Sequence, residues 1–250
     1  MKKQIFVGTS GYNYPHWREV FYPTNLNSTK WLEFYTQYFN SVELNVTFYR
    51  LPQKKTFQTW YRKTPHNFRF VLKGSRFITH IKRLSDCRHP LKVFFDSASL
   101  LKEKLICVLW QLPPTLRFDY GRLEKFVNIL KKNYSWCLHS FEFRNETWFN
   151  ELTYNVLKEN NFNLCFPDSP NYPLKEIITS NFLYLRFHGG KVLYGSEYSL
   201  PELKKWVKKV KSYLSKIKIE KIFVFFNNDA YGFAIKNALQ FKELLKDEKI

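Results

Sequence analysis

Short runs of β-branched and aromatic residues, each bounded by turn formers, recur along the whole chain. They are Gln4–Gly8, Ser41–Val46, Phe68–Lys73, Leu105–Leu112, Leu138–Phe143, Phe162–Phe166, Phe182–Phe187 and Lys221–Phe226. Between them, apolar residues return at the three-to-four spacing of amphipathic helices: Thr29–Phe39, Lys54–Arg62, Leu91–Leu101, Gly121–Lys132, Phe149–Glu159, a weak segment at Leu174–Ile178, Leu200–Ser215 and Ala230–Leu245. Strands alternating with helices predict parallel βα units, because a parallel neighbour needs a crossover. Eight units in 250 residues match the size of a (β/α)8 TIM barrel. The alternative, an open doubly wound sheet, would carry a glycine-rich phosphate turn after its first strand, and Gly8-Thr9-Ser10-Gly11-Tyr12 lacks the GxGxxG spacing. No internal repeat and no Gly/Ser-rich or Pro-rich linker divides the chain, so a single TIM-barrel-like domain over residues 1–250 is expected.

In such a barrel the site lies where the strands end, and side chains alternate faces along each strand. Val42, Leu44 and Val46 share an apolar face suited to helices, which turns Glu43 and Asn45 inward. By the same parity Glu142 and Arg144 oppose Phe141 and Phe143, and Tyr184, Arg186 and His188 oppose Leu183, Leu185 and Phe187. Ser10, Lys73, Gln111 and Asn227 complete the inward set, whereas the direction of Asp168, after Pro167, is not fixed by parity. Burying so many polar groups is costly unless they satisfy one another or a ligand. Glu142 and Arg144 also suit a structural ion pair, and Asp229 suits a cap for the last helix. His80 is expected in a loop over the mouth. Trp17, Trp148, Tyr194 and Tyr198 fall in or beside loops, where they can stack on a sugar or base or simply plug the rim.

Composition narrows the class. At 44% hydrophobic and 19% aromatic residues, the chain is too apolar for a disordered protein. No run reaches the ~18 apolar residues of a spanning helix, and no cleavage site follows Met1-Lys2-Lys3-Gln4, which argues against a secreted or integral membrane protein. Cys87, Cys107, Cys137 and Cys165 form no CxxC pair and read as buried thiols in a reducing cytoplasm. The formal charge of +19 invites a nucleic-acid partner. Against that, 29 Lys outnumber 11 Arg and 19 Asn stand beside 4 Ala, a skew typical of AT-rich codon usage. In the basic run Lys204–Lys218, Leu203, Trp206, Val207, Val210 and Leu214 align on one stripe, which leaves the lysines on a solvated face.

Several longer motifs carry a family resemblance. Gly8-Thr9-Ser10-Gly11-Tyr12 with Trp17 and Phe21-Tyr22-Pro23, Val42 to Arg50, Phe70-Val71-Leu72-Lys73, and Ile78-Thr79-His80 resemble the YecE-like family, domain of unknown function 72. So do Gln111-Leu112-Pro113-Pro114, Phe141-Glu142-Phe143-Arg144 with Trp148, Tyr184 to Gly189, and Phe226-Asn227-Asn228. The resemblance spans nearly the whole chain in order and implies a TIM-barrel-like fold similar to the endonuclease IV and sugar-isomerase group, with no settled activity. Asn145 departs from it, standing where the family usually has His, which implies altered activity if that His is catalytic.

The leading expectation is an enzyme acting on an anionic substrate: a phosphate ester, sugar phosphate or nucleic acid. Lys73, Arg144 and Arg186 would hold the anion. Glu142 would be the first general acid or base, Glu43 the second and His188 a proton shuttle. Ser10, Asn45, Gln111, Trp148, Asp168, Tyr194 and Asn227 would add substrate contacts, with no cofactor expected. A divalent-metal version resembling endonuclease IV or a sugar isomerase would use Glu43, Glu142, Asp168 and His188, although Arg144 and Arg186 on the same faces repel a cation and no HxH or HExxH occurs. A metal-independent glycosidase with paired carboxylates and a non-catalytic binder of nucleic acid or a metabolite complete the set.

Overall fold

The apolar runs are extended strands hydrogen-bonded only to parallel neighbours. The computed structural model describes residues 3–216 and 219–247. Its strands are β1 (Gln4–Thr9), β2 (Ser41–Leu44), β3 (Arg69–Lys73), β4 (Leu105–Gln111), β5 (Leu138–Glu142), β6 (Asn163–Leu164), β7 (Phe166–Asp168), β8 (Phe182–Phe187) and β9 (Lys221–Phe226). They form a four-stranded sheet ordered β1-β9-β8-β7 and a five-stranded sheet ordered β2-β3-β4-β5-β6. The helices are α1 (Trp31–Tyr35), α2 (Val46–Tyr49), α3 (Lys54–Arg62), α4 (Arg88–Ala98), α5 (Tyr120–Tyr134), α6 (Glu151–Glu159), α7 (Leu200–Lys216) and α8 (Phe233–Asp247). None of these is long and apolar enough to cross a membrane.

Local chemistry sets the helix starts. Asp119 accepts from the Arg122 N–H at 3.0 Å to cap α5, and Asn150 accepts from the Thr153 N–H at 3.0 Å to cap α6. On α7, Leu203, Trp206, Val207, Val210 and Leu214 are buried while Lys204, Lys205, Lys208 and Lys211 are exposed, as the stripe predicts. Positions 217 and 218, at the end of that basic run, lie outside the described residues.

Alternation along the strands separates two apolar layers. Val42, Leu72, Val108, Trp110, Phe141 and Leu185 belong to the layer packed under the helices. The opposite faces supply a second cluster of Phe6, Val71, Cys107, Leu109, Cys165, Phe182, Tyr184, Phe223 and Phe225. Along several strands this inner column changes character towards the C-terminal end. Val71 is followed by Lys73, Leu109 by Gln111, Tyr184 by Arg186 and His188, and Phe225 by Asn227. An apolar plug thus underlies a polar layer.

Contacts join the two sheets at two places. Ser10 and Glu43 form a parallel bridge between the ends of β1 and β2. Below it, Asn40 donates to Ile5 O at 2.8 Å and accepts from Val7 N–H at 3.2 Å. From β6, Asn163 Nδ2 donates to Phe182 O at the start of β8 at 2.9 Å, and its Oδ1 accepts from Ser140 Oγ of β5 at 2.8 Å.

Four expectations are corrected. The strand predicted to reach Val46 stops at Leu44, because Asn45 turns into helical backbone at φ −85° and ψ −15° and starts α2. The sixth strand is two pieces separated at Cys165. Residues 174–178 are not helical; Glu176 there holds Lys209 and Tyr213 of α7 instead. The first predicted helix reduces to a tight turn at Ser28–Lys30 followed by α1.

Candidate functional site

Arg186, at the top of β8, is fully buried. Its Nε and Nη2 donate to the two oxygens of Glu43 at 2.9 and 2.7 Å, and its Nη1 donates to Glu142 Oε2 at 2.6 Å. Ser10 Oγ and Tyr184 OH also donate to Glu43, at 2.6 and 2.7 Å. Four donors therefore satisfy the Glu43 carboxylate. Burial raises its pKa, but Arg186, Ser10 and Tyr184 outweigh burial and leave it below the ordinary value. Glu142 falls well below its ordinary value, because Arg186, Arg144 and His188 overcome its desolvation. Neither carboxylate is poised to carry a proton near neutral pH.

Arg144 follows β5 and uses one edge. Its Nε donates to Glu142 Oε1 at 2.7 Å, and its guanidinium lies 3.7 Å from the Tyr172 ring centre. Among the described residues, Nη1 and Nη2 of Arg144 have no protein acceptor. Tyr172 OH lies 3.5 Å from Tyr194 OH, and both rings stand edge-on to His188.

His188 is buried at the end of β8. Its Nδ1 lies 3.1 Å from the Asn227 amide nitrogen, and its Nε2 lies 3.4 Å from Arg186 Nη1 and 3.8 Å from Glu142 Oε2. Burial and then the Arg186 charge lower its pKa to about 4, against the pull of Glu142, so the ring is neutral. Lys73 ends β3 with only 8% of its surface exposed and its Nζ 4.1 Å from the Phe48 ring centre. Burial and then Arg186 bring its pKa down to about 7. His80 packs edge-on to the same Phe48 ring and sits on a single π-turn, Phe77–Ile81. Burial and the charges of Lys73, Arg144, Arg76 and Arg83 lower its pKa to about 4.

Ser10, Glu43, Lys73, Glu142, Arg144, Arg186, His188, Tyr194 and Asn227 are thus brought together. Asp168 is not: its carboxylate accepts from Trp206 Nε1 on α7, because it shares strand parity with Phe166 of the outer layer. Trp148 is also outside the cluster, buried flat against Phe143 at 4.8 Å with its Nε1 bonded to Leu116 O. Trp17 and Tyr198 are likewise buried rim plugs, bonded to Asp229 and to the Asp168 backbone. Gln111 turns its amide back to Leu112 O at 2.9 Å. Asn45, released from the strand, lines a neighbouring cavity of about 720 Å³ with Tyr12, Tyr14, Tyr49, Arg50 and Trp60, and its buried Oδ1 has no hydrogen-bond partner among the described residues. Asn145 accepts from the Thr147 N–H and hydroxyl at 3.1 and 2.6 Å and donates to Pro114 O at 2.7 Å, so it caps a turn. Parity missed Tyr172 and Phe48, which lie off the strands.

The proposed metal ligands do not fit a divalent cation. Arg186 bridges Glu43 and Glu142 and supplies their positive charge, while Asp168 faces α7. No group of three or more His, Cys, Asp or Glu residues is placed to hold a metal among the described residues.

Residues 6–250 match the family model described as "Protein of unknown function DUF72". The chain is similar to the UPF0759 protein YunF of Bacillus subtilis strain 168, at 29% identity over 282 residues covering 98% of this chain and 95% of YunF. It is 32% identical over 111 residues to the UPF0759 protein YecE of Escherichia coli K12, covering 44% of this chain and 38% of YecE. A DUF72 family protein from Thermotoga maritima MSB8 has the same fold, with a TM-score of 0.84 at 32% identity covering 97% of this chain and 99% of that one. The fold is shared with a DUF72 family protein from Enterococcus faecalis V583, with a TM-score of 0.83 at 21% identity covering 97% and 96% of the two chains.

Proposed function

The chain belongs to the DUF72 family, and from that premise we propose that its strand ends form the active site of an enzyme acting on a small anionic substrate. In this reading the two sheets are the halves of one (β/α)8 barrel forming a single domain. The Ser10–Glu43 bridge and the Asn163–Phe182 hydrogen bond at the two seams support that closure. The four buried free cysteines suit a reducing cytoplasm.

The observation that carries the reading is Arg144. Glu142 and Tyr172 fix its plane while its two terminal nitrogens are left without a protein acceptor. That arrangement suits bidentate capture of a phosphate or carboxylate. Glu43 and Glu142 act here as positioning residues for Arg186 and Arg144, and the acid–base work passes to Lys73 and His188, which are uncharged or partly so near neutrality.

Calorimetric titration with inorganic phosphate tests this. Binding by the unaltered chain and a loss of about 10-fold or more in Arg144→Gln are expected, that being roughly the weight of one charge-assisted contact. Equal affinity in both proteins, or no binding by either, would contradict it.

A further inference from the structure

Among the described residues two lysines are deeply buried, and they differ in one respect. Lys104 is 3% exposed and donates to Tyr61 O, Thr64 O and Thr64 Oγ1 at 2.6, 2.6 and 3.1 Å. Lys73 is 8% exposed and, among the described residues, has neither a hydrogen bond nor an ion pair, only the face of Phe48. The carboxylates that could have paired with it are already held, Glu43 by Arg186 and Glu142 by Arg186 and Arg144. The chain thus places, at the end of a strand and in the polar layer beside Arg144, an amine whose stem is buried while its Nζ keeps access to solvent.

We propose that Lys73 is an imine-forming lysine, whose Nζ attacks the carbonyl carbon of an aldehyde or ketone carrying an anionic group seated on Arg144. The inference rests on the anion-binding reading above and names the substrate class. The groups facing Lys73 explain why its amine is available. Arg186 from β8 and Arg144 after β5 disfavour its charge, Glu142 and Glu43 oppose them, and burial outweighs all four. With a pKa of about 7, roughly half of the amine is free at neutral pH, against about one part in 10³ for an ordinary lysine.

The step balances without a further reagent. The nitrogen lone pair forms the C–N bond while the carbonyl π pair moves to oxygen. That oxygen collects the two amine hydrogens and leaves as water, and a C=N bond remains. The neutral imidazoles of His188 and His80 are available to pass the protons. The protonated imine then draws electrons from an adjacent C–H or C–C bond.

The full chain is incubated with dihydroxyacetone phosphate or with pyruvate, treated with borohydride, digested and mapped by mass spectrometry. The reduced adduct is expected on Lys73 at about 10-fold or more over any other of the 29 lysines, following its larger free-amine fraction. Lys104 should stay unlabelled. Lys73→Arg, which keeps the charge and whose fold is checked by its thermal midpoint, should lose the adduct. Labelling with one ketone alone supports the proposal and tells which anion the site takes. Labelling spread over exposed lysines, or absent with both ketones, overturns it. If phosphate binding to Arg144 persists in that case, the anion reading stands without the imine; if that binding is absent too, both fall.

Discussion

Removing the Arg186 guanidinium would leave Glu43 and Glu142 buried without their shared countercharge. Arg186→Met is therefore expected to lose about 3–5 kcal/mol in urea unfolding at pH 7, and a loss below about 1 kcal/mol would contradict the buried network. Lys73→Met should act in the opposite direction. The folded chain holds this lysine at about 7 instead of 10.5, so its charge destabilises the fold fully below about pH 7 and ceases to do so as pH rises towards 10.5. The variant should gain a few kcal/mol at pH 6 and nothing at pH 11. His80, His139 and His188 each have folded values of about 4 against 6.5. The unfolded chain takes those protons first, so the urea midpoint should fall as pH drops from 6.5 to 4, and a flat profile across that window would refute the neutral rings. Strand parity made Glu43, Glu142, Arg186 and His188 legible because each stands on a strand or directly after it. It left Asp168 open, because the parity that Asp168 shares with Phe166 in β7 could not be read past Pro167 and the break at Cys165, and it was silent on Tyr172, which lies in a loop with no period to read.

At the scale of elements, the existence of the units followed from the apolar pattern except for the helix expected at 174–178, and their ends did not. The second strand ends because Asn45 adopts helical backbone, and the run Val42–Val46 carries no Gly or Pro to announce it. The π-turn Phe77–Ile81 was equally silent. Arg83, Leu84 and Asp86 after it take φ of 49°, 66° and 48° without being glycine, a cluster of strained backbone beside the lysine-bearing strand end. The break between β6 and β7 puts weight on Asn163, whose side chain joins Ser140 to Phe182 across it. Asn163→Ala should cost about 1–3 kcal/mol and lower hydrogen-exchange protection along β6 and β8 together, whereas an unchanged pattern would mean the seam is held elsewhere. Asn145→Ala should cost about 1 kcal/mol as a lost cap and leave phosphate affinity unchanged.

For the whole molecule, the charge of +19 divides unevenly. With Asp168 turned to α7, the cluster sets Lys73, Arg144 and Arg186 against Glu43 and Glu142, so the strand ends are more positive than a balanced count that includes Asp168 suggests. Most of the remaining excess lies outside this cluster, as on α7, where the lysines surround a buried apolar stripe. Those lysines would attract polyanions weakly and in a salt-sensitive way, while the anion site depends on one partly shielded arginine, 11% exposed. A crystal structure of the chain with phosphate separates the two most directly. Phosphate oxygens about 2.7–2.9 Å from both Nη atoms of Arg144, on the side facing Lys73, are expected. Arg144 with those nitrogens paired to a protein carboxylate, or phosphate found only among the α7 lysines, would contradict the assignment of the strand ends as an anion site.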